Sequence, residues 1–223
     1  MLRRDGDESV LPVEAIIPWK AVFFDFDGVI VDSMGIKTEA FARLFRPFGE
    51  EIERQVLAYH IENGGYCRFV KFRYALEDLM GLPPDEEALQ KLGRRFSRMV
   101  VEQVVQAPVI AGAMETLKEL KSQNVPTFVI SGTPQKELEA IVDARKLSPF
   151  FDEVFGSPRE KEGVIRELVG RLRLSPSDCL MVGDAMSDYR AAHATGVGFL
   201  GIVPEGEPSP FPEGVVVSAS VRL

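Results

Sequence analysis

The sequence predicts an α/β fold: a doubly wound parallel sheet with a helical insert. Two observations carry that expectation. Five short, continuously apolar runs are spaced along the chain, and helical patterns follow four of them, as strands buried on both faces require. Between the first run and the second, residues 35–109 hold no convincing strand.

The first run, Lys20–Phe24, leads directly into the stretch DFDGVIVDS. Apolar periodicity then predicts helices over Ile36–Phe45, Glu50–His60, Phe69–Leu79 and Asp85–Val105. Pro47, Gly64-Gly65 and Gly81 with Pro83-Pro84 punctuate them. The second run, Val125–Ser131, passes through Gly132-Thr133-Pro134 into a helical pattern that reaches Arg145. A weaker run, Glu153–Gly156, precedes a helix beginning near Lys161. Cys179–Asp184 precedes a helix from about Ser187 to Thr195, and Val197–Val203 is the last run. The expected organisation is a core of residues 1–34 and 110–223 around an insert of residues 35–109.

Twenty-six basic residues against 34 acidic ones give a net charge of −8. Such a chain has no general attraction for nucleic acid or an anionic membrane. An anionic ligand would need a local cluster of cations and backbone N–H groups. Two cysteines, Cys67 and Cys179, form neither a disulfide framework nor a zinc spacing, and read as reduced thiols. No apolar run approaches the length of a membrane span. The N-terminal stretch has two arginines followed by acids, and reads as a flexible or edge-packing extension rather than a signal peptide. The expectation is a cytoplasmic protein, monomer or homodimer, with a small-molecule partner.

In open α/β sheets, ligands bind outside the carboxyl ends of the strands. Asp25 and Asp27 follow the first run, Ser131 ends the second and Asp184 ends the fourth. Acids gathered there repel one another unless a cation intervenes, and oxygen-only ligands suit Mg²⁺. One carboxylate is then available to attack and the second to manage a proton. A solvated turn, or the metal-binding DxD of glycosyltransferases, would explain Asp25 and Asp27 but not the later strand ends. Ser131 also reads as a helix cap, and Arg159 or Arg166 competes with Lys161 as the site's cation. Arg68 and Lys71 read equally as surface charge on an amphipathic helix. His60 faces a ligand or is structural; His193 reads as structural, and Phe69, Phe72 and Tyr74 as core of the insert.

Four motifs in order resemble those of the haloacid dehalogenase superfamily of phosphohydrolases with a helical C1-type cap. The nearest likeness is to the phosphoglycolate phosphatase and β-phosphoglucomutase-like members. DFDGVIVDS resembles the family's DxDGxxxDS; VISGT, the lysine of GSPREKEGVI and VGDAMSD resemble the other three. The resemblance implies a Rossmann-like core, with residues 35–109 as a cap that excludes water and reads the leaving group. It implies Asp25 as nucleophile, becoming an aspartyl phosphate, and Asp27 as general acid and then base. Ser131, Gly132 and Thr133 would hold the phosphate, and Lys161 would stabilise its charge. Mg²⁺ would be held by Asp25, Asp184 and the backbone carbonyl of Asp27, with Asp188 behind it or paired to Lys161. Arg68 and Lys71 would bind substrate, Arg68 matching the arginine of the sugar-phosphate members' Gly-x-Ser-Arg, with Cys67 in place of its serine. The mutases carry a histidine in the turn after the first motif, where this chain has Lys37. The implied function is a Mg²⁺-dependent phosphatase acting on a small phosphomonoester, a sugar phosphate or phosphoglycolate-like. The alternatives are a phosphosugar mutase and a non-catalytic phosphometabolite-binding module.

Overall fold

The computed structural model describes residues 17–83 and 85–223. Residues 1–16, most of the stretch read as an N-terminal extension, lie outside the described residues, as does Pro84. Six parallel strands form one sheet in the order β3-β2-β1-β4-β5-β6: Ala21–Phe24 (β1), Thr127–Pro134 (β2), Glu153–Ser157 (β3), Cys179–Gly183 (β4), Gly198–Ile202 (β5) and Val217–Ser218 (β6). β1 is fully buried and pairs with β2 on one side and β4 on the other, Phe24 opposite both Val129 and Val182. The chain runs outward from β1 in both directions, so the strand order reverses there, where ligands bind in such sheets.

The period of two in β1 divides the core. Val22 and Phe24 join Val129 and Val182 beneath the helices Ala113–Ser122 (α5) and Gln135–Ala144 (α6). Ala21 and Phe23 face the opposite cluster, with Met181 and the helices Lys161–Leu172 (α7) and Met186–Thr195 (α8). The insert consists of helices Met34–Phe45 (α1), Glu50–Glu62 (α2), Arg68–Tyr74 (α3) and Glu86–Gln106 (α4), with a π turn, Ala75–Leu79, after α3. Its buried Phe41, Phe72 and Phe96 belong to the same cluster as Val22 and Phe24. The chain leaves for the insert and returns side by side: Ile110 N–H bonds Ile30 O at 3.1 Å and Asp32 N–H bonds Pro108 O at 2.9 Å.

Several boundaries differ from the sequence expectation. α3 starts at Arg68, before the first aromatic, and its regular turns stop at Tyr74. Asp85 caps α4 from outside, accepting Ala88 N–H at 2.6 Å. α5 and β6 have no counterpart in the expected elements; α5 follows Gly112 in the left-handed region and spans ten residues, and β6 has two. Among the described residues no helix is long and apolar enough to cross a membrane.

Candidate active site

β1 hands the chain to the site through Asp25, whose N–H still bonds Val182 O at 2.9 Å. Beyond it the backbone turns tightly against Asp184. Gly28 has φ +78, and a Cβ there would lie 2.1 Å from Asp184 Oδ2, so only glycine fits. On β2 the ladder to β3 jumps from Ile130 to Pro134, which takes Ser131, Gly132 and Thr133 out of register at the strand end. Ser131 is buried and its Oγ accepts Thr133 N–H at 3.1 Å. α6 is capped by Pro134 with no side-chain bond, so Ser131 is not its helix cap.

Asp25, Asp184 and Asp188 each present one oxygen within 4.8 Å of the others. Lys161, at the start of α7, lies 2.8 Å from Asp25 Oδ2 and pairs with Asp188 as well. Asp188 is fully buried in the first turn of α8, where its Oδ2 also accepts Ala185 N–H at 3.1 Å. Arg159 and Arg166, the competing cations, pair with Glu167 and Glu162 at the surface. Burial pushes Asp25 up to about 6 against the opposing charge of Lys161. Burial, then Asp25 and Asp188, raise Asp184 well above the usual carboxylate range.

Asp27 has a different environment. Burial alone would raise it, but Lys37 in ion contact, with the Ser33 and Thr133 hydroxyls at 2.6 and 3.0 Å, holds it below the usual range. Ser131 Oγ lies 3.5 Å from its Oδ2. The side chain of Asp27 therefore stands apart from the three-acid cluster, and the metal role expected of Asp27 would fall to its backbone carbonyl. Lys37 is the residue that sequence reasoning left without a role. It sits one turn into α1, four positions after Ser33.

Four carboxylates, Asp25, Asp27, Asp184 and Asp188, meet two contacting ammoniums, Lys37 and Lys161. Two negative charges are left over when all are ionised, the charge of one divalent cation. The donors are all oxygen, so the residues present fit a hard ion such as Mg²⁺.

The insert closes over this ground. A Cβ on Gly132 would lie 2.4 Å from Gly65 O, and Ser187 Oγ donates to Gly64 O at 3.1 Å. Arg68 and Lys71 are not surface charges: both are buried. Arg68 pairs with Glu137 of α6 and donates to Ser97 Oγ at 3.1 Å. Lys71 donates to His60 Nδ1 at 2.9 Å. Burial, then Lys71 and Lys37, lower His60 to about 3. A cavity of about 40 Å³ remains, bordered below by Asp25, Asp27, Ser131, Gly132, Thr133 and Asp184, and above by Lys37, His60, Arg68 and Lys71. Lys161 and Asp188 do not border it; Lys161 borders an adjoining, larger groove of about 1280 Å³ that shares Gly65, Tyr66, Arg68, Ser131 and Gly132 with the cavity. His193 stacks on Tyr189 away from the cavity, and Tyr74 stacks on Tyr59.

The family model of haloacid dehalogenase-like hydrolases matches residues 19–196. Phosphoglycolate phosphatase 1 of Pseudomonas aeruginosa is 29% identical over 191 residues, covering 80% of this chain and 67% of its own. Among solved structures, a predicted phosphoglycolate phosphatase from Haemophilus somnus superposes with a TM-score of 0.71 at 20% identity, covering 92% of this chain and 96% of its own. β-Phosphoglucomutase from Clostridium difficile superposes with a TM-score of 0.72 at 17% identity, covering 91% of each chain. These two structures share the fold.

Proposed function

The chain belongs to the haloacid dehalogenase-like hydrolases, as a phosphatase, and from that premise we propose that it hydrolyses a small phosphomonoester by way of an aspartyl phosphate on Asp25. The observation that supports this most is the split between two neighbouring carboxylates. Asp25 is pushed up, in contact with Lys161, while Asp27 is held down by Lys37 and two hydroxyls. Two carboxylates in opposed environments are suited to two roles. In this reading residues 1–34 and 110–223 are the core domain and residues 35–109 the cap.

Asp25 attacks phosphorus from the end of β1 while Ser131, Thr133 and the Gly132 N–H hold the equatorial oxygens. Lys161 offsets charge on Asp25 as its carboxylate becomes a mixed anhydride. Mg²⁺, held by Asp25, Asp184 and the carbonyl of Asp27, supplies when bound the positive charge that the transferring phosphoryl group needs. Asp27 protonates the departing alcohol and then takes a proton from the water that cleaves the anhydride. Lys37 keeps Asp27 ionised at rest, which suits the second step; for the first, Asp27 takes up a proton from solvent as that contact loosens on binding of the ester.

A phosphate-release screen over small phosphoesters, with and without Mg²⁺, tests the reading. No Mg²⁺-dependent release from any of them, an aryl phosphate included, would overturn it. Hexose 1-phosphate separates the mutase alternative, which returns isomerised ester instead of free phosphate. Asp27→Asn is expected to slow alkyl esters by about 10²–10⁴, and an aryl phosphate with its better leaving group much less; equal losses would remove Asp27 from proton transfer. Gly132→Ala pushes against the Gly65 carbonyl, a backbone atom that cannot swing aside. Its kcat/KM is expected to fall about a hundredfold, the cost of a misplacement near 1 Å, and the overpacking, about 1–3 kcal/mol, is expected to lower the melting temperature by roughly 2–12 °C.

A further inference from the structure

Among the described residues two ion pairs join the insert to the core, Lys37 with Asp27 and Arg68 with Glu137. The first involves a reacting group. The second stands to one side of the chemistry: Glu137, in the first turn of α6, borders the outer groove and not the cavity. Two residues of the insert meet its carboxylate. Arg68 of α3 pairs with Oε1, and Ser97 of α4 donates to Oε2 at 2.6 Å. Arg68 donates in turn to Ser97 Oγ at 3.1 Å, so the three side chains close a ring. The guanidinium also lies over Phe96, 4.8 Å from the ring centroid. The Arg68 side chain is 6% exposed and that of Glu137 12%, so water and salt screen the pair little.

The same two helices are joined again further along. Arg145, just past the last turn of α6, donates to the Val104 and Val105 carbonyls at 2.8 and 2.7 Å, near the C-terminal end of α4. Eight residues of helix separate it from Glu137, about 12 Å. The Arg145 contact is close to Pro108, where the chain crosses back to the core. The Glu137 contact is at the other end, beside the groove that adjoins the cavity. One end is built as a hinge and the other as a free edge.

The cavity of about 40 Å³ has room for about three waters, less than a phosphate group with its alcohol needs. The insert therefore has to part from the core to admit an ester, and to close again to exclude water. We propose that Glu137 is a positioning residue for the reaction: with Arg68 and Ser97 it clasps the free edge of the insert to the core, and Arg68 serves as the other half of that clasp instead of contacting the ester. This rests on the phosphatase reading above and goes beyond it. The clasp joins protein to protein, so it favours closure with and without ester. Loosening it lowers the closed fraction of the complex, and with it kcat. It also frees the empty site to open, so KM does not rise.

With an aryl phosphate as substrate, Glu137→Met is expected to lower kcat about tenfold to a hundredfold, the range of a charged hydrogen bond, with KM unchanged or lower. Arg68→Met is expected to show the same split, and the double variant no greater loss than either alone. Glu137→Gln, which keeps an acceptor oxygen, is expected to retain more of kcat than Glu137→Met. A raised KM at unchanged kcat in Arg68→Met, additive losses in the double variant, or native kcat in Glu137→Met would overturn the proposal. Closure is also read without turnover. Cys67 Sγ of the insert lies 3.3 Å from Ser157 Oγ of the core, so in Ser157→Cys a disulfide to Cys67 forms only when the insert is shut. With oxidised glutathione, adding Glu137→Met is expected to slow that bond about tenfold, the lower end of the same range. If no phosphoester is hydrolysed, the phosphatase reading fails and this rate decides the clasp alone: slowing supports it, and an unchanged rate refutes it.

Discussion

Asp25→Asn is expected to lower turnover by at least about 10⁴-fold, as loss of an attacking group does, in a protein that remains fully folded. The fold should survive because the substitution relieves crowding. Lys161 keeps Asp188 as its partner, and Asp184 loses the neighbour that contributes most to its elevation after burial. The variant should also change how the metal-free protein responds to pH. Asp25 is at about 6 when folded, above its value of 3.8 as a free carboxyl. Between those values the folded protein binds more protons than the unfolded chain, so stability declines as pH rises through that window. Asparagine removes that part of the decline. Phosphate release and melting curves from pH 4 to 7 check both halves; activity above a thousandth of native would exclude Asp25 as the attacking group.

Lys161→Met is expected to be the most destabilising single change at the site. It leaves Asp25 and Asp188 buried without the one cation that, among the described residues, is in contact with either. Removing one partner of a buried ion pair costs about 3–5 kcal/mol, and each kcal/mol moves the melting temperature by roughly 2–4 °C in a chain of this size. A drop on the order of 10 °C at neutral pH without metal follows. Mg²⁺ should recover much of it, since an ion held at a hundred times its Kd contributes about 2.7 kcal/mol. A variant that melts with the native protein, and ignores Mg²⁺, would show that the acids are not short of positive charge.

The parts of the site legible in the sequence are those where a strand ends. Asp25, Ser131 and Asp184 each close an apolar run, and parallel strands place such ends on one edge. Partners brought together by packing leave no local trace. Nothing near Arg68 announces Glu137, and nothing near Lys71 announces that its neighbour His60 would be a neutral acceptor. Lys37 was visible only as a departure from a pattern, because spacing alone does not tell a helix's first-turn lysine facing Asp27 from one facing water. The helical insert was legible by periodicity, whereas β6, with two residues, is too short for any periodicity to show; α5 went unread although it is as long as α6 and α8.

Among the described residues the strand that leads into Asp25 comes first along the chain, yet both of its sheet neighbours and the two other acids of its cluster come much later. A chain that stops short of β2 thus has Asp25 beside Asp27 and Lys37, but without Ser131, Lys161, Asp184 or Asp188. The pocket is complete only once the chain extends into α8.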